Sequence, residues 1–218
     1  GTSDGGKFAC VWNHDAGRRM AVDPADKTLV LIRHGELPES CRGRYIGRSD
    51  VPLSGEGTLA CRKLAPRFAA LRPERIFSSP MRRARESAAA ICPDRKDLIF
   101  DPRLREIDFG DWENLTFEEI RLRTAPEVLD LWFRHPDRMR FPNGGSVAEH
   151  YAGVDAFMDE ALGMPEKVIA VITHGGVLMR LISRARQLPP ERQFEALPPR
   201  ASMTILQWRK EGGFLNGE

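Results

Sequence analysis

The chain has 218 residues, 41% hydrophobic and 29% charged, a composition that excludes fibrous and intrinsically disordered classes. At roughly 100–200 residues per domain it holds one large domain, or one domain with an extension, long enough to bury a core without staples. Its 33 Lys and Arg nearly balance 31 Asp and Glu, a net charge of +2, which argues against a nucleic-acid or membrane-surface protein.

Residues 1–27 are polar and rich in Gly and Asp around one apolar patch, Phe8 to Trp12. They are expected to form an N-terminal extension, partly disordered or contributing one extra strand. The patch is too short for a signal-peptide core, and no apolar run approaches the ~20 residues of a membrane helix. From Thr28 the pattern becomes regular, and residues 28–218 are expected to form the main domain. Thr28–Ile32 is a short β-branched apolar run and reads as a buried strand. Ser54 caps a helix carrying Leu64, Phe68 and Leu71, with a kink or late start at Pro66. Arg75–Phe77 is a second strand. A helix over Met81–Ile91 follows, with Pro80 at its first position.

Asp97–Phe100 is a third strand. Residues 114–134 are expected to be helical in two pieces broken near Pro126. Ser146 and Glu149 form a capping box opening a helix to about Leu162. Lys167–Thr173 is the clearest buried strand and leads into a helix with Leu178, Leu181 and Ile182. A late strand, Ser202–Trp208, follows the Pro189-Pro190 break. Alternating strands and helices predict an α/β layered fold, whose ligand lies at the carboxyl ends of the strands.

Three polar clusters fall at those strand ends: Arg33-His34-Gly35-Glu36, the run Ser78–Ala84, and Thr173-His174-Gly175-Gly176. A His directly after a buried strand points from a rigid element into a crevice, and a helix start offers N–H groups to an anion. Arg33 brings a fixed charge suited to phosphate. Arg82, Arg83 and Arg85 open a helix, where cations oppose the helix dipole unless an anion is bound nearby. Arg42, Arg44 and Arg48 crowd the loop after His34. A near-neutral chain that gathers arginines around two strand-end histidines points to a phosphate site. His14, His135 and His150 read as structural or solvated. His34 and His174 lack a third ligand at useful spacing, so no metal is expected. Cys10, Cys41, Cys61 and Cys92 form no CxxC pair and are expected to be reduced in a cytoplasmic protein.

In order, LVLIRHGE, RYIGRSDVPLSGEG, IFSSPMRRARESA, LREIDFGDWEN and VITHGG resemble the motifs of the histidine phosphatase superfamily, which includes the cofactor-dependent phosphoglycerate mutases. The resemblance implies a three-layer α/β/α sandwich with a mostly parallel central sheet. It implies His34 as the nucleophile, with Arg33, Arg83 and His174 gripping the phosphoryl group. It implies Glu106 as proton donor, Arg44 as the loop arginine near the phosphate, and Glu113 as a supporting carboxylate. Gly175 contributes to the same site from the start of the last helix. Two positions depart from the family pattern. Ser40 stands where an Asn often contacts phosphate, and Gly145 stands where many members carry Glu.

FGDWEN resembles the phosphatase branch, including alpha-ribazole and broad-specificity phosphatases. The expected activity is therefore hydrolysis of a small phosphomonoester without cofactor, metal, nucleic acid or membrane. The alternatives are a phosphoglycerate mutase and a non-catalytic phospholigand-binding protein on the same fold. Trp112, Phe117, Trp132 and Phe133 are candidates for the lid and specificity wall, or for packed lid core.

Overall fold

The computed structural model describes residues 25–215. The expected extension lies almost entirely outside them, as do Cys10 and His14. Strand β1 spans Lys27–Arg33, one residue earlier than the boundary read from sequence. Lys27 is buried because its ammonium donates to the carbonyls of Met164 and Glu166.

Helix α1 spans Gly55–Leu71, β2 Arg75–Ser78, α2 Arg82–Ile91 and β3 Ile99–Phe100. Helices α3 (Phe117–Arg123), α4 (Pro126–Arg134) and α5 (Val147–Gly163) follow. The chain closes with β4 (Val168–Thr173), α6 (Gly175–Ala185), β5 (Met203–Arg209) and β6 (Gly213–Phe214). The sheet order is β3-β2-β4-β1-β5-β6. β1, β2, β3 and β4 are parallel, and β5 and β6 add an antiparallel margin. No helix among the described residues is long and apolar enough to cross a membrane.

Strand alternation explains the three layers. Leu29 and Leu31 of β1, with Ile169 and Val171 of β4, pack against α5 and α6 through Phe157, Met158, Leu178 and Leu181. Val30, Ile32, Ala170 and Ile172 face the other way and pack against Cys61 and Phe68 of α1 and Ile91 of α2. Both faces are covered, which is why these strands read as unbroken apolar runs. Cys41, Cys61 and Cys92 are free and buried in this second layer.

Local details differ from the sequence expectation for identifiable reasons. α1 runs through Pro66 without ending. Proline frees the carbonyl four residues back, at Arg62, and both residues are exposed so that water can satisfy it. Pro80 lies just before the cap Met81, outside α2, because Ser79 Oγ accepts from Met81 N at 3.2 Å and holds the turn open. At α5 only half the expected box forms. Ser146 accepts from Glu149 N, but Glu149 turns to Arg140 at 2.7 Å. The reciprocal box is at Thr116 and Glu119, opening α3. β3 is shorter than expected, and β6 carried no sequence signal.

A third cluster lies above the strand ends. Ile107, Phe109, Trp112, Ile120, Trp132, Met139, Phe141 and Val147 pack there as the core of a cap built from α3, α4 and the loops around them.

Candidate active site

Parallel pairing of β1 and β4 sets Arg33 opposite Thr173. The residues that follow, His34 and His174, therefore emerge side by side, their ring centroids 5.3 Å apart. The backbone locks this arrangement: His34 N donates to Thr173 O at 2.9 Å, and Ser79 N, at the end of β2, donates to Ile172 O at 2.9 Å. Thr173 Oγ1 donates to Leu104 O at 2.7 Å and draws in the loop that carries Glu106.

His34 is 4% exposed. Its Nδ1 lies 2.8 Å from Gly35 O. A carbonyl can only accept, so Nδ1 carries the proton and Nε2 keeps its lone pair. His174 is fully buried. Arg83 Nε donates to His174 Nδ1 at 3.1 Å, which makes Nδ1 an acceptor and leaves Nε2–H to donate to Ser79 Oγ at 2.7 Å. Burial, then the Arg83 cation, pushes both imidazoles well below the usual His range. Both are therefore neutral at pH 7, the form a nitrogen nucleophile needs.

Below pH 6.5 the unfolded chain takes up protons that the folded imidazoles resist, so stability falls as pH drops and is retained above. The acid limb of kcat/KM is expected below pH 6.5, and a pH–rate profile checks it. An essential group with apparent pKa near 7 assigned to His34 by NMR would contradict the neutral-nucleophile geometry.

Arg83 is 1% exposed and held like a structural element. Besides His174 it donates to Ser49 O at 2.9 Å, Gly47 O at 2.8 Å and Ile46 O at 3.3 Å. That loop is shaped by Glu113, whose carboxylate accepts from Gly47 N at 2.9 Å and Ser49 N at 3.0 Å. Glu113 thus supports the site through the loop that seats Arg83.

Glu106 is 7% exposed. It accepts from Ile107 N at 3.0 Å and from Gly176 N, at the start of α6, at 3.1 Å. A Cβ on Gly176 would stand 2.3 Å from Glu106 Oε1. Gly176→Ala is expected to displace the carboxyl group and lower kcat by about 10²-fold for alkyl phosphates, the scale of general acid catalysis. The loss is smaller for p-nitrophenyl phosphate, whose leaving group needs no proton. Equal losses on both would show that Glu106 is not the acid.

His34, Arg33, Glu106, Gly175 and Gly176 share one pocket with Arg44, His150 and Arg200. Its far wall is aromatic: Tyr45, Phe109, Trp132, Tyr151 and Phe194. Of the four aromatics expected there, only Trp132 lines it. Trp112 is buried beneath, and Phe117 and Phe133 pack edge to face, partly exposed, on the outside of the cap. Arg83 and His174 sit behind His34 rather than on the open wall. Arg44 reaches the pocket, but its guanidinium is bound to Glu119 at 2.9 Å and Asn114 O at 2.7 Å.

Ser40, expected near the phosphate, is placed elsewhere by the fold. It is exposed and does not line the pocket. It lies in a 3-10 turn, Glu39–Cys41, that buries Cys41 in the core, so its neighbour faces outward. Gly145 is also outside the pocket, and its N–H donates to Asp108 O at 2.9 Å.

Sequence reasoning gave no site role to Ser79, His150 or Arg200, nor to the wall aromatics Tyr45, Tyr151 and Phe194. Ser79 Oγ pairs with His174 Nε2, whose proton is placed by the Arg83 donation to Nδ1. The proline-terminated strand end was its only signal. His150 lines the pocket, with Nε2 buried and unpartnered. Arg200, between the last helix and β5, carried no signal at all.

A buried histidine pair at adjacent strand ends, a buried arginine behind it and a carboxyl group in the same pocket thus meet at the carboxyl edge of the parallel strands of an α/β protein. The sequence matches the Histidine phosphatase superfamily (branch 1) over residues 29–217, and the chain belongs to that superfamily, whose members are phosphatases and mutases. It is similar to phosphoserine phosphatase 1 of Hydrogenobacter thermophilus, 30% identical over 148 residues, 67% of this chain and 70% of the relative. It is also similar to the 2,3-bisphosphoglycerate-dependent phosphoglycerate mutase of Rhizobium etli, 27% identical over 187 residues, 82% of this chain and 89% of the mutase. Among solved structures, the mycobacterial glucosyl-3-phosphoglycerate phosphatase in complex with VO3 aligns with a TM-score of 0.70 at 28% identity, covering 83% of this chain and 92% of that one.

Proposed function

We propose that the protein hydrolyses a small phosphomonoester through a phosphohistidine on His34. The observation that carries this reading is the bond from His34 Nδ1 to Gly35 O, which leaves Nε2 unprotonated beside Arg33. Nε2 attacks phosphorus, an N–P bond forms, and the ester P–O bond breaks. Glu106, acting as the general acid, gives a proton to the leaving oxygen. The resulting carboxylate takes a proton from water, which attacks phosphorus, breaks the N–P bond and releases phosphate. The transition state of phosphoryl transfer spreads negative charge over its oxygens, so the fixed Arg33 and Arg83 cations and the N–H groups at the start of α6 supply the catalysis. Cytoplasmic location belongs to the same reading, since its buried cysteines suit a reducing compartment.

The mutase reading shares every step to the phosphoenzyme and differs in the acceptor. Its support is the likeness to the Rhizobium etli enzyme. The test is phosphate release from a panel containing p-nitrophenyl phosphate, alpha-ribazole phosphate, O-phosphoserine and 3-phosphoglycerate. Among the described residues, no group of three His, Cys, Asp or Glu side chains could hold a metal ion. Turnover is accordingly expected to persist in EDTA and to be inhibited by vanadate, which mimics pentacoordinate phosphorus. Loss of turnover in EDTA would overturn the metal-free mechanism. Interconversion of phosphoglycerates with a bisphosphate primer, without net release, would move the mutase to first place.

A further inference from the structure

We propose that Arg200 is a specificity residue that binds a carboxylate carried by the leaving group of the substrate. The proposal rests on the phosphomonoesterase reading above and adds a substrate class to it. Arg200 sits on the loop entering β5, which is tied to the nucleophile strand. Ala201 N donates to His34 O at 3.0 Å, and Arg33 N donates to Ser202 O at 3.2 Å. Ala201 holds a φ of 47°, an unfavourable conformation for a residue with a Cβ. This backbone brings a third guanidinium beside Arg33, close enough that, after burial, it is the main cause of the lowered Arg33 pKa. Like charges repel, so the arrangement suits a site that receives more than one negative group.

The arginines of the pocket are not equally available. Arg83 is fanned onto three carbonyls and His174. Arg44 is bound by Glu119 and a carbonyl. Arg33, next to His34, serves the phosphoryl group. Arg200 makes one hydrogen bond among the described residues, to Glu36 Oε2 at 2.6 Å, and a guanidinium has five N–H donors. Its present partner is itself a carboxylate, and Glu36 is 53% exposed, free to swing into water. Such an exposed pair adds little to stability, so folding does not require it. Arg200 also borders a second depression outside the pocket, beside Glu36 and Arg42. It therefore stands where a group attached to the phosphoester, rather than the phosphoryl group itself, would emerge.

The test uses ester pairs that differ only at the carboxylate: O-phosphoserine with O-phosphoethanolamine, and 3-phosphoglycerate with glycerol 3-phosphate. The wild type is expected to favour the carboxylate member of at least one pair in kcat/KM. Arg200→Met is expected to lower that preference by about 10–100-fold, the range of a lost charged hydrogen bond, mainly through KM. Arg200→Lys retains part of it, and Glu36→Gln, which frees Arg200, raises it. Thermal unfolding of each variant confirms folding. Equal losses on both members of a pair, an unchanged ratio, or a wild-type preference for the member without the carboxylate in both pairs would overturn the role of Arg200 while leaving the phosphatase intact. Absence of phosphate release from every ester would instead remove the phosphatase reading and this inference with it.

Discussion

His34→Ala is expected to lower phosphate release by about 10⁴-fold or more, the scale seen when a covalent nucleophile is removed. The reason is geometric. The proton on His34 Nδ1 is committed to Gly35 O, so the ring presents one lone pair, on Nε2, and no neighbour can replace it. His174 stands 5.3 Å away between ring centroids, but its Nδ1 accepts from Arg83 and its Nε2 pairs with Ser79. Rapid acid quench would destroy the phosphoenzyme, because phosphohistidine is acid-labile. An alkaline quench of radiolabelled substrate should therefore trap label in the wild type and none in the variant. Turnover above roughly 1% of wild type in His34→Ala, or label that survives the substitution, would refute the assignment.

Arg83→Met is expected to damage both folding and turnover. The side chain is 1% exposed, and its loss leaves the carbonyls of Ile46, Gly47 and Ser49 and the Nδ1 of His174 without their donor. Breaking a buried charged network by removing one member costs about 3–5 kcal/mol. For a chain of this size that lowers Tm by roughly 6–20 °C. Turnover measured well below the new Tm should still fall by about 10²–10³-fold, since a fixed cation behind the reacting phosphoryl group is gone. Arg83→Lys restores charge but cannot reproduce the fan of donors, so it should recover more of kcat than of Tm. A wild-type Tm in Arg83→Met would contradict the structural role. A wild-type kcat in the folded variant would contradict the electrostatic one.

These two residues were legible before the fold was known, and the reason is local. His34 follows a β-branched apolar run, and Arg83 follows a strand end closed by proline. Short-range pattern is enough to place a polar residue at the rim of a buried element. The same holds for His174 and for the layered α/β class, because strands covered on both faces announce themselves as continuous apolar runs. The helix break at Pro126 was equally plain, since proline occupies the first position of α4.

Other features depended on contacts between distant segments. Ser40 matched a position in a motif, yet its direction is set by Cys41 packing into the core. Glu119, unremarkable in sequence, caps α3 and holds the Arg44 guanidinium. His150 reads in sequence as structural or solvated, and the fold sets it on the pocket wall. Arg200 lies 166 residues beyond His34 and is brought beside it only by antiparallel pairing of β5 with β1. The sequence alone thus determined the family, the layered α/β class and which residues stand at the strand ends, where hydrophobic periodicity dictates which residues emerge. Only the tertiary structure decided which side chains are free to meet a ligand, because their hydrogen-bond partners come from segments distant in the chain, and hydrophobic periodicity reports burial, not pairing.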